Sequence, residues 1–140
     1  MTSKKTRDST QFAALPCRLV GDGTREVMLL TSRGTGRWVI PKGWPIKGLK
    51  PREVAAREAY EEAGLVGRVP GKRPVGIFHY AKQIARGELL CEVQVFLMWV
   101  DEQLADWPEK SQRETQWFDI RAAAAQVDEG GLSEIILRLI

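Results

Sequence analysis

The chain has 140 residues, 44% of them hydrophobic and 28% charged, the size and balance of one globular domain. That balance excludes a disordered polyelectrolyte and a bare helical repeat. No apolar run approaches the roughly 18 residues of a membrane-spanning helix. Lysine and arginine number 21 against 18 aspartates and glutamates, a formal charge of +3; this admits a polyanionic partner but is too weak to argue for nucleic acid.

Residues 1–10 are polar, carry three cations and lack an apolar stretch. They predict a frayed tail rather than a signal peptide, with a single domain over 11–140 and a cytoplasmic location. Residues 12–20 and 26–31 are apolar and β-rich, and Gly21-Asp22-Gly23 between them predicts a hairpin. A second turn, Gly34-Thr35-Gly36, leads into a short strand over 37–40. Two prolines and Gly43 fall within 41–45, which argues against regular structure there. Pro51 then opens a helix, since its missing N–H costs nothing in the first turn; strong helix formers follow, and Gly64 ends it. Strands are expected over 74–80 and 89–100 with a polar loop at 81–88 between them. An exposed loop over 101–113, a strand over 115–120 and a helix over 121–127 come next. The last helix, 132–140, is capped by Ser133 or preceded by Gly130-Gly131. Strands dominate and helices punctuate them, which predicts an α/β fold: a mixed sheet with helices packed on it. Cys17 and Cys91 lie far apart in apolar runs and are expected as buried, reduced thiols without metal partners.

The segment richest in chemistry is Arg57-Glu58-Ala59-Tyr60-Glu61-Glu62-Ala63-Gly64-Leu65. On a helix Glu58, Glu61 and Glu62 stand three and four residues apart and share one stripe, with Arg57 beside them. Ala55, Ala56, Ala59 and Ala63 fall on the other side, small enough to let the helix sit close to a sheet. Like charges at this spacing destabilise a helix by about 0.2–0.5 kcal/mol. Either water solvates the acidic stripe, or Arg57 and a hard divalent cation compensate it, and Mg²⁺ prefers such carboxylate oxygens.

Gly43, five residues, position 49, seven residues, then the run from Arg57 to Leu65 resembles the Nudix box, the signature of a family of hydrolases that act on a diphosphate linked to another moiety. Ser32-Arg33, Arg37-Trp38-Val39-Ile40-Pro41, Val75-Gly76-Ile77-Phe78, Asp106-Trp107 and Trp117-Phe118 are similar to its diphosphoinositol polyphosphate phosphohydrolase branch. The resemblance implies a Nudix-type α/β/α sandwich with helices on both sides of the sheet. It implies a metal-dependent pyrophosphohydrolase that cleaves a phosphoanhydride bond in a highly phosphorylated small molecule, a diphosphoinositol polyphosphate or a diadenosine polyphosphate. Nucleotide sugars, ADP-ribose, nucleoside triphosphates and capped RNA ends remain alternative substrates, and a non-catalytic nucleotide sensor an alternative role. No membrane and no nucleic-acid partner is expected, and either a monomer or a homodimer.

The same resemblance assigns roles. Glu58 and Glu62 hold Mg²⁺, with Mn²⁺ as the alternative ion; Glu61 belongs to the metal set and orients or deprotonates the attacking water. The Lys42 carbonyl adds a ligand, and Arg57 keeps the glutamates in register. Thr31, Ser32, Arg33, Lys82, Arg86 and Arg113 bind substrate, while Gly43, Glu53 and Gly64 support the site. Leu49 stands where the family has glutamate, and Glu53, four residues before Arg57, is expected to orient Arg57 in its place. The stretch Pro41-Lys42-Gly43-Trp44-Pro45 departs from the glycine run of that branch. Of the tryptophans, Trp99 and Trp117 read as core, Trp38 as packing and Trp44 as a structural residue beside the site. His79, the lone histidine, reads as structural.

Overall fold

A computed structural model describes residues 9–139. In chain order the elements are β1 (Thr10–Val20), β2 (Thr24–Thr31), β3 (Trp38–Val39), β4 (Lys42–Gly43), α1 (Pro51–Ala63), β5 (Leu65–Arg68), β6 (Gly76–Ile84), β7 (Gly87–Gln103), a 3₁₀ turn (Lys110–Gln112), β8 (Thr115–Asp119), α2 (Ile120–Gln126) and α3 (Gly130–Leu137). The strands form one sheet in the order β3-β2-β1-β7-β5, with β4 on β1, β6 on β7 and β8 on β2. β1 and β7 run parallel, from Thr10 opposite Glu92 to Cys17 opposite Trp99. The other ladders described are antiparallel.

Alternation along β1 and β7 sends side chains to two cores. Leu15, Val27, Leu29, Val93 and Val95 meet Ala123 of α2 and Leu132 and Ile136 of α3. On the opposite face Ala14, Met28, Phe96 and Met98 meet Ala55, Ala59 and Ala63 of α1. The central strands are therefore buried on both faces and read as continuous apolar runs. The sheet is mixed, as the element pattern predicted, and carries helices on both sides, as the resemblance implied.

Several local expectations are corrected. Residues 1–8 of the expected tail, and Ile140, lie outside the described residues, whereas Ser9 is buried and Thr10 already opens β1. Between the prolines at 41 and 45, Lys42 and Gly43 form a short ladder with Ala13 and Phe12. The loop expected over 81–88 is instead the tip of the β6–β7 hairpin, with Lys82 opposite Leu89 and Ile84 opposite Gly87. The hairpin tip is exposed on both faces, so its polar residues hid the strand pattern. β7 continues to Gln103, and the four residues of β5, too short to show a period, pair with its end. Ser133 is not a cap: its hydroxyl donates to the Ala124 carbonyl, tying α3 to α2. Cys17 and Cys91 are free and buried, and burial pushes the Cys17 thiol up to about 12. Among the described residues no helix is long and apolar enough to cross a membrane.

Candidate active site

The local sequence sets both ends of α1. Before Pro51, the Lys50 N–H donates to the Glu53 carboxylate at 2.8 Å, which satisfies a group at the helix start. At the other end Gly64 takes a left-handed conformation, φ 69°, and its N–H donates to the Tyr60 carbonyl. With the alanines seated on the sheet, the Glu58 carboxylate lies against β4. A Cβ at position 43 would overlap the Glu58 carboxylate, so only glycine permits this approach.

Glu58 and Glu62 open into a cleft of about 470 Å³ whose wall includes Gln11, Ser32, Arg33, Lys42, Gly43, Trp44, Tyr80, Lys82, Glu109 and Arg113. The two carboxyl groups are hydrogen-bonded to each other. Burial pushes Glu62 up to about 8; the bond to Glu58 acts in the same direction and Arg113 opposes it. Burial also raises Glu58, helped by the charges of Glu61 and Glu109. Burial lowers Lys42, against the pull of Glu62 and Glu129. Arg113 is held on three sides: its Nε donates to Glu109 at 2.8 Å, Nη1 donates to the Thr31 carbonyl at 3.2 Å, and Nη2 lies 3.7 Å from Glu62. Its side chain is 9% exposed and that of Glu62 8%, so this pairing escapes most solvent screening. Tyr80 donates to Gln11 at 2.7 Å, and the Lys42 ammonium sits over the Tyr80 ring, 5.0 Å from its centre.

The structure brings Ser32, Arg33, Lys42, Gly43, Glu58, Glu62, Lys82 and Arg113 to one cleft. Thr31 is an anchor rather than part of the wall: its carbonyl accepts from Arg113 and its hydroxyl from the Glu114 N–H. Arg86 sits at the hairpin turn, away from the cleft wall, because the expected loop is a strand pair that carries it outward. Glu61 does not converge with Glu58 and Glu62. It faces Arg57 across 3.7 Å at the surface, and among the described residues no three acidic, histidine or cysteine side chains come close enough to share a metal. Glu53 does not orient Arg57 either; it is engaged at the helix start, where the backbone N–H of Lys50 is nearer than the next turn. Trp44 lines the cleft, whereas Trp38 packs edge-on against Phe118 and Trp117 lies beneath Arg18. Trp99 packs on the core, and His79 stands 3.8 Å from Glu92 on the β6–β7 ladder.

Sequence reasoning missed Gln11, Tyr80 and Glu109. Gln11 is a buried polar residue in an otherwise apolar run, and that break was a usable signal. Glu109 stands four residues before Arg113, the spacing of a helical ion pair, within a segment read as loop. The buried Glu62 carboxyl and the half-buried Glu58 carboxyl, the latter against Gly43, form an oxygen donor set suited to a hard divalent cation. Burial pushes the Glu62 carboxyl up because two bare charges are costly there.

The NUDIX domain profile matches residues 11–139. Nudix hydrolase 12, mitochondrial, of Arabidopsis thaliana is 33% identical over 102 residues, covering 70% of this chain and 50% of its own. Diphosphoinositol polyphosphate phosphohydrolase 3-alpha of Mus musculus is 34% identical over 105 residues, 70% of this chain and 57% of its own. The chain thus spans about half the length of the curated relatives it matches. Among solved structures, a C. elegans Ap4A hydrolase superposes with a TM-score of 0.67 at 18% identity, covering 94% of this chain and 95% of that one, a likeness of fold. The chain belongs to the NUDIX domain family.

Proposed function

We propose that this protein is a metal-dependent pyrophosphohydrolase acting on a small, highly phosphorylated molecule, a diphosphoinositol polyphosphate or a diadenosine polyphosphate. The observation that carries the reading is the single cleft in which Glu58 and the buried Glu62 face the cations Arg33, Lys42 and Lys82. Relatives named for diphosphoinositol polyphosphate and Ap4A chemistry support the same substrate class. Nucleotide sugars, ADP-ribose, nucleoside triphosphates and capped RNA ends remain the second choice. We assign the protein to the cytoplasm.

Glu58 and Glu62, with the Lys42 carbonyl, would hold Mg²⁺ or Mn²⁺, which neutralises phosphate charge and polarises the scissile bond. Arg33 and Lys82 bind the flanking phosphates, and the Arg33 guanidinium is oriented by Gln112 at 2.8 Å. Water adds to one phosphorus, the bridging P–O bond breaks, and the leaving phosphate departs with its electron pair. The water proton passes to a carboxylate. Glu61 is assigned that role, reaching in from its contact with Arg57. Glu109 already stands in the cleft but is bonded to Arg113.

A phosphate-release screen with Mg²⁺ and Mn²⁺ over inositol pyrophosphates, dinucleoside polyphosphates, nucleotide sugars and triphosphates tests the reading. Turnover of the first two classes is expected. Glu61→Gln should lower kcat by about 10²–10⁴-fold, the usual contribution of a general base; if Glu109→Gln does so and Glu61→Gln does not, the base is Glu109. Tight ligand binding without metal-dependent turnover would instead make the protein a sensor.

A further inference from the structure

The carboxylates of α1 stand near its C-terminal end, where a helix leaves its last carbonyls without partners. Here one remote segment meets them. Glu109 N–H donates to the Glu61 carbonyl at 3.0 Å and Leu104 N–H to the Gly64 carbonyl at 2.8 Å. Trp107 Nε1 donates to the Glu62 carbonyl at 3.2 Å, and Gln103 Nε2 to the Ala63 carbonyl at 2.9 Å. Every carbonyl from 61 to 64 thus receives a donor from residues 103–109. The Trp107 indole also occupies the space a Cβ at Gly64 would fill. Lys110 lies over that ring, 5.4 Å from its centre, and donates back to the Ala105 carbonyl.

The far end of this segment returns to the same glutamate. Glu109 accepts from Arg113, whose other nitrogen faces Glu62. Glu62 is therefore held at its carbonyl by Trp107 and at its carboxylate by Arg113, from the two ends of one stretch of chain. We propose that residues 103–109 are a positioning strap for the carboxylate helix, with Trp107 as its anchor. The indole N–H and the ring on Gly64 set the axial place of the last helical turn, and with it where Glu58 and Glu62 point. Trp107 is not part of the cleft wall, so it is a positioning residue and not a catalytic one. The proposal rests on the reading of Glu58 and Glu62 as metal holders. A misplacement of about 1 Å at such groups costs about 10²-fold in rate.

The test uses the full chain and Trp107→Phe, which keeps an aromatic ring near Gly64 and removes the N–H. Mn²⁺ binding is followed by electron paramagnetic resonance, and Mg²⁺-dependent turnover is followed on the substrate found in the screen. The strap predicts Mn²⁺ binding weakened by about 10–100-fold, as when a partner of a metal ligand is lost. It also predicts a matching fall in kcat with KM changed less than about twofold. Packing alone would lower the melting temperature and leave Mn²⁺ affinity and kcat of the folded protein at wild-type values; that result overturns the strap. Gln103→Leu removes another of the four bonds and must weaken Mn²⁺ binding in the same sense, by less; it decides the matter if Trp107→Phe does not fold. Wild-type protein that binds no Mn²⁺ overturns the metal reading and the strap together, whereas wild-type binding with unchanged variants overturns the strap alone.

Discussion

The two ends of α1 are secured by different means. At the start, Lys50, Pro51 and Glu53 satisfy the helix with contacts no more than three residues apart. At the finish, Gly64 turns the chain locally, but the carbonyls from 61 to 64 depend on residues forty or so positions away. The start faces water and carries no group of the cleft wall. The finish carries Glu58 and Glu62, and it is the end that the rest of the protein grips. A helix end held only by neighbours frays within a turn. An end that must hold the buried Glu62 carboxyl and its neighbour Glu58 in place needs partners from outside the helix.

Variants at the two ends should separate accordingly. The largest effect on stability is expected at Gly64→Ala. The new Cβ enters left-handed backbone, which costs about 1–2 kcal/mol, and displaces the Trp107 indole, an overpacking term of about 1–3 kcal/mol. Chemical denaturation should show a loss of about 2–5 kcal/mol in total; a loss near that of an ordinary surface site would mean the finish is not gripped.

The next effect is one of pH. Burial and Glu58 raise the Glu62 carboxyl to about 8 in the folded, metal-free protein, from the ordinary 4.5 of the unfolded chain. The folded state therefore keeps a proton that the unfolded state releases. This contribution to stability is complete below about pH 4.5 and disappears as pH rises through about 8. The melting temperature without metal should fall between pH 5 and 9, and Glu62→Gln should flatten that slope. Mn²⁺ binding, which requires the ionised carboxyl, should tighten over the same range. Parallel pH profiles for wild type and Glu62→Gln would remove the buried Glu62 carboxyl as the cause.

The smallest effect belongs to the start of the helix. Glu53→Ala removes the acceptor for the Lys50 N–H and should cost about 1 kcal/mol, the usual worth of a cap, with kcat unchanged. A fall in kcat there would revive Glu53 as a partner of Arg57.

Much of this could be read without a structure. The hairpin at Gly21-Asp22-Gly23, the bounds of α1 from Pro51 to Gly64, and the stripe of Glu58, Glu61 and Glu62 follow from turn chemistry and the 3.6-residue period, which act over a few residues. The apolar run over 12–20 likewise announced a strand, and β1 spans Thr10–Val20. β5 did not show itself, because four residues carry no period and its pairing with β7 is a tertiary fact. Nor did the strand across 81–88, where exposure on both faces removed the pattern.

By itself, then, the amino-acid order determined that α1 exists, where it begins and ends, and that three glutamates share a side of it. Only the tertiary structure decided which of them meet. Glu58 is brought against Gly43 by the β4–β1 ladder, Glu62 is drawn to Arg113, and Glu61 is left with its own neighbour Arg57. The physical reason is range. Backbone preference and helical period are set within one turn of chain. The partner of a carboxylate is set by sheet register and by the path of residues 103–113, which no local rule specifies.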